Sequence, residues 1–361
     1  MRSPRQQLRL VVLPGDGFGP EVTAAALTVL EAVSEHAGIE LIVKTEAVGG
    51  RAIEVCGDPL PQTTLAACRA ADAVLLGAVG GPRWDGGAVR PEAGLLALRS
   101  GLGVFANLRP VRCWPGAEDN SPLREDIVRG ADIVFIRELT GGAYFGRPHG
   151  IGGRPPHRRA VDTTEYSEGE IRRVAHVAFG IARSRRRRLT SVDKANVLAT
   201  SGLWREVVSE VSAEYPDVQL EHCLVDSFAL RMLQEPRSFD TVVTENLMGD
   251  ILTDEAAALV GTLGILPSAS GGGEGPWVYE PVHGSAPELA GRNLANPLGA
   301  IASIALLLRL SMRRADLAAA LEDAIAGVVE RGLVTADMRG TLATEGVAQA
   351  VVTRLEAPAT A

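Results

Sequence analysis

Two aspartates four residues apart, Asp250 and Asp254, stand in the segment Gly249-Asp250-Ile251-Leu252-Thr253-Asp254-Glu255. On a helix that spacing puts both carboxylates on one face, where like charges repel unless a cation lies between them. Asp226, in Leu224-Val225-Asp226-Ser227, falls at a predicted strand-to-helix junction and is a candidate third oxygen donor. Carboxylates with no Cys or His nearby favour Mg2+ or Mn2+ over Zn2+. The competing reading is that these acids offset the dipole at the start of a helix. Lys194 follows a predicted strand in Ser191-Val192-Asp193-Lys194-Ala195-Asn196-Val197 and is one of only two lysines, against 34 arginines. An amine can give up a proton within reach of neutral pH and a guanidinium cannot, so Lys194 is a candidate base. Tyr144, in Gly141-Gly142-Ala143-Tyr144-Phe145-Gly146, is one of four tyrosines and a candidate proton donor, with packing an equal alternative.

The arginines suggest the substrate. Arg99 and Arg109 flank Gly101–Leu108, and Arg137 ends the apolar run Ile133–Ile136. An Arg at that point projects from the carboxyl edge of a sheet, where α/β proteins bind ligands. Guanidinium forks pair bidentately with carboxylates, so three converging suit a di- or tricarboxylate, although each taken singly reads more readily as a surface arginine. The loop Pro14-Gly15-Asp16-Gly17-Phe18-Gly19-Pro20-Glu21 is glycine-rich but is not GxGxxG, and by itself reads as a tight strand-to-helix turn. Among six histidines only His283, in Val282-His283-Gly284-Ser285-Ala286-Pro287-Glu288, stands in a motif-like loop. The run Arg185–Arg188 falls at the end of a predicted helix, where cations offset the dipole, so it does not argue for nucleic acid.

These residues require a scaffold of short buried strands and longer helices. Apolar runs predict strands at Leu8–Leu13, Leu41–Thr45, Ala73–Leu76, Ile133–Ile136, Leu189–Val192 and Thr241–Thr244. Helical periodicity predicts helices over Pro20–His36, Thr63–Ala70, Ser167–Ser184, Gly202–Tyr215, Asp226–Gln234 and Asn246–Gly264, then over Pro297–Leu310, Ala315–Arg331 and Thr344–Leu355. Ser167 with Glu170 forms a capping-box start. The alternation predicts an α/β protein with a largely parallel sheet. Tyr144–Tyr166 and Leu266–Ala286 are expected to be long irregular stretches, which in compact domains are usually functional or interfacial.

The 361 residues are enough for about two domains. With 46% apolar and 22% charged residues the chain is of ordinary globular composition, and a net charge of −8 argues against nucleic acid or an anionic membrane as partner. The longest apolar stretch, near Ile301–Leu308, is too short to span a bilayer as a helix. The N-terminus shows no signal-peptide pattern, and Cys56, Cys68, Cys113 and Cys223 form no CxxC pair. A cytoplasmic protein with reduced thiols is expected.

Taken in order, the segments LPGDGFGPE, LLGAVGGPRWD, RPEAGLLALR, FANLRP, RELTGGAYFG, VDKANVL, GDILTDE, LPSAS, EPVHGSAPELAG and NLANP span nearly the whole chain. They resemble the isocitrate/isopropylmalate dehydrogenase family of metal-dependent β-decarboxylating dehydrogenases. The resemblance implies a two-domain α/β fold, not Rossmann, with a cleft between the domains. Domain one would be residues 1–104 and 261–361, on the cofactor side; domain two would be 105–260, with the dimer interface and an interlocking arm at about 144–166. It implies a homodimer with shared active sites, to which the partner contributes Lys194, Val197 and Asp226. In that scheme Arg99, Arg109 and Arg137 hold the carboxylates of a 3-alkylmalate, and Asp226, Asp250 and Asp254 hold Mg2+ or Mn2+, Asp226 also facing substrate. Lys194 is the base and Tyr144 the acid. Glu92, Leu95, Leu96 and the partner's Val197 would surround the 3-substituent. An extra carboxylate buried unpaired against two leucines would cost several kcal/mol, so the pocket favours alkyl over a charged arm. One methylene is worth only about 1–3 kcal/mol, so isopropyl is not separated from a slightly larger group, and another 3-substituted malate or tartrate is the alternative substrate. His283, Gly284, Ser285, Ala286, Pro287, Glu288 and Asn296 resemble the family's adenosine site. Glu288 stands where NAD-using members carry aspartate, and its carboxylate would accept ribose hydroxyls and repel a 2′-phosphate, which favours NAD. Arg99-Ser100 stands where an Arg-Lys pair is usual.

Overall fold

The computed structural model of the protein describes residues 6–87 and 89–356. The outer ends of the expected first domain, at 1–5 and 357–361, lie outside the described residues, as does the start of the N-terminal segment expected to lack a signal. Along the chain run β1 (Gln7–Gly15), α1 (Gly19–Ala37), β2 (Glu40–Thr45), α2 (Gly49–Cys56), α3 (Gln62–Ala70), β3 (Ala73–Ala78) and α4 (Pro91–Leu102). There follow β4 (Ala106–Arg112), α5 (Glu125–Val128), β5 (Asp132–Glu138), β6 (Gly150–Gly152), β7 (Arg159–Val161), α6 (Glu168–Ser184), β8 (Arg188–Asp193), α7 (Ala199–Ser212) and β9 (Gln219–Leu224). Next come α8 (Val225–Gln234), β10 (Thr241–Thr244), α9 (Asn246–Glu255), β11 (Pro267–Gly271), β12 (Trp277–Pro281), α10 (Leu298–Leu310), α11 (Ala315–Glu330) and α12 (Thr344–Glu356).

The chain divides into two compact units. The first comprises the chain up to Val104, Cys113–Glu125 and the chain from Val260; the second comprises Phe105–Arg112 and Asp126–Leu259. In the first unit the strands run β2-β1-β3-β12-β11, all neighbours parallel except β11 with β12. Parallel strands covered on both faces are apolar throughout, and all six residues of β3 are buried. Val11, Leu13, Val74, Leu76, Leu98 and Val278 pack into one core. Helix α10 is buried on nearly all sides, as its sequence, apolar but for Ser303 and Arg309, requires. Cys113–Glu125, which the sequence assigns to the second domain, packs on this unit instead. Gly116 (φ +84°) brings its backbone so close to Glu330 that a Cβ would lie 2.7 Å from the Glu330 Cα.

The second unit orders its strands β4-β5-β10-β8-β9, parallel except for β4 against β5. Phe135 and Phe228 meet edge-on at 6.0 Å, and Phe228 meets Phe239 at 4.8 Å. In the stretch expected to be irregular at 144–166, β6 and β7 form a two-stranded antiparallel sheet, with Ile151 and Val161 exposed. Strands β4, β9, β11 and β12 and helices α2 and α4 lie where the local pattern predicts none. The helix predicted over Asn246–Gly264 ends at Glu255 and continues as tight turns.

Candidate active site

Three elements of the second unit converge on Asp250. Strand β5 carries Arg137 near its carboxyl end, β10 lies parallel beside it with Thr244 opposite Arg137, and α9 starts directly after β10. Glu245 caps α9 by accepting from the Leu247 and Met248 amides at 3.1 and 2.7 Å. The helix therefore begins at the carboxyl edge of the sheet and turns Asp250 back toward Arg137.

Arg137 is 4% exposed. Its Nε and Nη2 donate to Asn246 Oδ1 at 3.0 and 2.8 Å, and Nη1 donates to Asp250 Oδ1. Antiparallel β4 brings Arg109 alongside. Arg109 Nε donates to Asn107 Oδ1 at 2.8 Å, and Nη1 donates to Thr253 Oγ1 at 2.6 Å and reaches Asp254 Oδ1 at 3.4 Å. Its Nη2 stands 3.9 Å from Asp250 Oδ1. Tyr144 closes the group: its hydroxyl donates to Asp250 Oδ2 at 2.7 Å, and its ring lies 5.8 Å from the Arg137 guanidinium. The turn that presents Tyr144 is tied back by buried Glu138, whose carboxylate accepts from the Thr140 and Gly141 amides. Burial pushes the Tyr144 hydroxyl above its ordinary pKa, and its bond to Asp250 adds to the shift, so it holds its proton. Burial works against the charge on Asp250, but Arg137, Tyr144 and Arg109 outweigh it and keep the carboxyl ionised below its usual range.

Lys194 and Asp226 form a second group in this unit. Parallel β8 and β9 end together, with Asp193 opposite Leu224, so the residues just beyond them meet and Lys194 Nζ donates to Asp226 Oδ1 at 2.5 Å. That bond lowers the Asp226 pKa. The turn bearing Lys194 is fixed by Asp193, which accepts from the Ala195 amide and from both Nε and Nη2 of Arg205 at 2.9 Å. Among the described residues no three His, Cys, Asp or Glu side chains gather as a metal-holding group. Asp226 therefore does not join Asp250 and Asp254 within one chain. Val197 is 70% exposed. The oxygens of Asp250 and Asp254, with no thiolate or imidazole bonded to them, are hard donors that fit a small divalent cation.

The remaining expected residues belong to the first unit. Arg99, in the last turn of α4, donates to Glu280 Oε1 at 3.0 Å. Glu280 escaped the sequence reading because it lies on β12, inside a stretch read as irregular. Glu92 sits against Gly80, where an added Cβ would lie 2.5 Å from Glu92 Oε1 and whose φ of +108° disfavours any side chain. Leu96 is exposed on α4, while Leu95 is partly buried against the core. The loop from His283 to Glu288 is moored to the glycine-rich turn after β1. Phe18 N donates to the Ser285 carbonyl at 3.0 Å, and the Phe18 and His283 rings stand 4.7 Å apart. A Cβ on Gly17 would fall 1.9 Å from that same carbonyl. Burial lowers the His283 pKa, and its buried Nε2 has no hydrogen-bond partner among the described residues, while Gly284 faces open space. An orphaned ring nitrogen beside an open glycine fits a heterocyclic ligand edge such as a nucleotide base. Asn296 is buried; its Oδ1 caps α10 at Leu298, and its Nδ2 donates to Asp337 Oδ2 at 3.0 Å. Asp337, Asn246, Tyr166 and Glu245 also escaped the sequence reading. For Asn246 a signal was present: a polar residue opening a helix directly after a buried strand.

The sequence profile of the family described as isocitrate/isopropylmalate dehydrogenase matches residues 9–352. The chain is 54% identical over 349 residues to a 3-isopropylmalate dehydrogenase of Anaeromyxobacter dehalogenans, covering 96% of this chain and 99% of that one. It is 53% identical over 332 residues to the one of Geobacillus kaustophilus, covering 91% and 90%. Among solved structures, the isocitrate dehydrogenase of Methylococcus capsulatus superposes with a TM-score of 0.86 at 33% identity, over 97% of this chain and 100% of that one. A β-decarboxylating dehydrogenase of Thermococcus kodakarensis superposes with a TM-score of 0.80 at 35% identity, over 97% and 96%. The chain belongs to the isocitrate/isopropylmalate dehydrogenase family.

Proposed function

We propose that the protein catalyses the NAD-dependent oxidative decarboxylation of 3-isopropylmalate to 4-methyl-2-oxopentanoate, a step of leucine biosynthesis. The observation that carries the chemistry is the convergence of Arg109, Arg137 and Tyr144 on the Asp250–Asp254 face of α9. The choice of substrate follows the 3-isopropylmalate dehydrogenases it resembles and the leucines at 95 and 96.

Arg109 and Arg137 bind carboxylate groups of the malate, the role also proposed for Arg99. Lys194 Nζ, contributed like Asp226 by a second copy of the chain, accepts the C2 hydroxyl proton; a bound nicotinamide would supply the hydride acceptor for C2, so that a β-keto acid results. The C3 carboxylate departs as CO2, its bonding pair moving into C2–C3, and Tyr144 Oη delivers a proton to C3. A raised tyrosine pKa suits a group that must keep its proton until the carbanion forms. Asp250 and Asp254, with Asp226 from a second copy of the chain, would hold a divalent cation, which as a Lewis acid favours electron flow toward the C2 oxygen. Mg2+ and Mn2+ both suit three carboxylates. His283–Glu288 and Asn296 would hold the adenosine end of the cofactor, and Glu288 would select NAD over NADP by repelling a 2′-phosphate.

The shared site makes the protein a homodimer in this reading. Its support is the exposed apolar side chains of Val197, Leu230, Leu247 and Ile251. Turnover of a panel of 3-substituted malates, tartrate and isocitrate, with Mg2+ or Mn2+ and each nucleotide, tests the assignment. The highest kcat/KM should fall to 3-isopropylmalate with NAD; a better substrate elsewhere in the panel overturns it.

A further inference from the structure

The proposed chemistry leaves Asn246 without a task, yet its side chain bonds both Arg137 and the backbone that leads to Tyr144. It is 1% exposed. Its Oδ1 accepts from Nε and Nη2 of Arg137 at 3.0 and 2.8 Å, and its Nδ2 donates to the Gly141 carbonyl at 3.2 Å. Its backbone N–H donates to Tyr166 Oη at 3.0 Å, and that hydroxyl in turn donates to Glu245 Oε2 at 3.2 Å. Gly141 and Gly142 lead directly into the turn that carries Tyr144. They are pressed against the same tyrosine: Cβ atoms added there would lie 2.5 Å from Tyr166 Cε1 and 2.6 Å from Tyr166 Oη, and Gly142 has a φ of +78°.

We propose that Asn246 is a positioning residue that fixes, with one amide, both the plane of the Arg137 guanidinium and the turn that presents Tyr144. The inference rests on the reading of Arg137 as a substrate-carboxylate ligand. The chemistry of the side chain supports it. An amide offers an acceptor and a donor on a two-bond stem, and here each faces its complement: oxygen toward guanidinium N–H groups, nitrogen toward a carbonyl. Aspartate supplies the acceptor but not the donor, and alanine supplies neither, leaving buried polar groups unmatched. Asn246 thereby holds the guanidinium and the proton donor in one fixed relation, and small losses of such orientation weigh heavily on catalysis.

The test is steady-state kinetics of the full-length enzyme with 3-isopropylmalate, Mg2+ and NAD, using Asn246→Ala, Asn246→Asp, Arg137→Lys and the Asn246→Ala/Arg137→Lys double variant. Asn246→Ala should raise the substrate KM about tenfold or more while the KM for NAD stays within about twofold. In the Arg137→Lys background the same change should cost less than about threefold more, since the group it orients is gone. Asn246→Asp, which keeps the acceptor and sets an oxygen against the Gly141 carbonyl, should lower kcat about tenfold with the substrate KM within about threefold. If Arg137→Lys leaves the substrate KM unchanged, the reading of Arg137 falls and this inference with it. If Arg137→Lys raises the KM but Asn246→Ala is silent or adds its full effect, only the positioning role is overturned. Should the alanine variant fail to fold, unchanged kcat in Asn246→Asp overturns the proposal.

Discussion

Gly249→Ala places a single methyl group where the site has no space for it. A Cβ at this position would lie 2.7 Å from Arg137 Cγ, 3.0 Å from Arg137 Cβ and 3.1 Å from Thr244 Cγ2. Ordinary contact begins near 3.4 Å, so the Arg137 stem must retreat by several tenths of an ångström. It is buried, and its guanidinium is tied to Asn246 and Asp250, so the stem cannot swing aside without carrying the head group with it. Two effects on stability oppose each other. Replacing glycine inside a helix by alanine favours the helix by about 1 kcal/mol, while overpacking a closed site costs about 1–3 kcal/mol. The net effect on folding is therefore a small loss, about 0–2 kcal/mol, or a melting temperature lowered by no more than a few degrees. The effect on chemistry is not offset in the same way, because displacement of the guanidinium proposed to bind the substrate carboxylate by a fraction of an ångström should lower kcat/KM by about tenfold to a hundredfold. Thermal melting together with kcat/KM for 3-isopropylmalate makes the comparison. A variant that melts higher and turns over normally would refute the reasoning, since it would show that the Arg137 stem yields at no expense.

Tyr144→Phe removes the proposed acid and one hydrogen bond to Asp250. It should lower kcat by about a hundredfold or more while leaving nucleotide binding within about twofold, as measured by nucleotide titration followed through intrinsic fluorescence. Asp226→Asn and Asp250→Asn should each be inactive, yet subunit exchange between them should restore about one quarter of wild-type turnover if each site draws on two chains; a mixture no more active than its components excludes shared sites. Burial pushes the Cys68 thiol up to about 12 and the Cys113 thiol up to about 11, so both stay protonated below those values, whereas Cys56 is exposed. Iodoacetamide at mildly alkaline pH should therefore alkylate Cys56 first in the native protein, and mass spectrometry showing equal labelling of Cys68 would contradict that burial.

The strands that lead to the proposed catalytic side chains are legible because parallel strands buried on both faces are rich in β-branched and apolar residues. Ile133–Ile136, Leu189–Val192 and Thr241–Thr244 all lie in the strands β5, β8 and β10. Strand β11, Pro-Ser-Ala-Ser-Gly, has no such run; its strand character comes from pairing, as with β12 from across a turn, which its own five residues do not disclose. Missing β12 hid Glu280 and, with it, the pairing of Arg99. The spacing of Asp250 and Asp254 discloses a common helix face, but nothing in it discloses that Arg137, 113 residues from Asp250, would bond to it.

Residue type and order were enough to indicate the alternating α/β architecture and the family, and to single out the acids and the lysine proposed for the site. They suffice because hydrophobic period and side-chain chemistry are local properties. Which groups meet was settled only by folding. Arg137 with Asn246 and Asp250, Tyr144 with Asp250, and Lys194 with Asp226 are partners because parallel strands end at one edge and helices turn back over it. Hydrogen bonding acts over about 3 Å, a range set by the path of the whole backbone and not by distance along the chain.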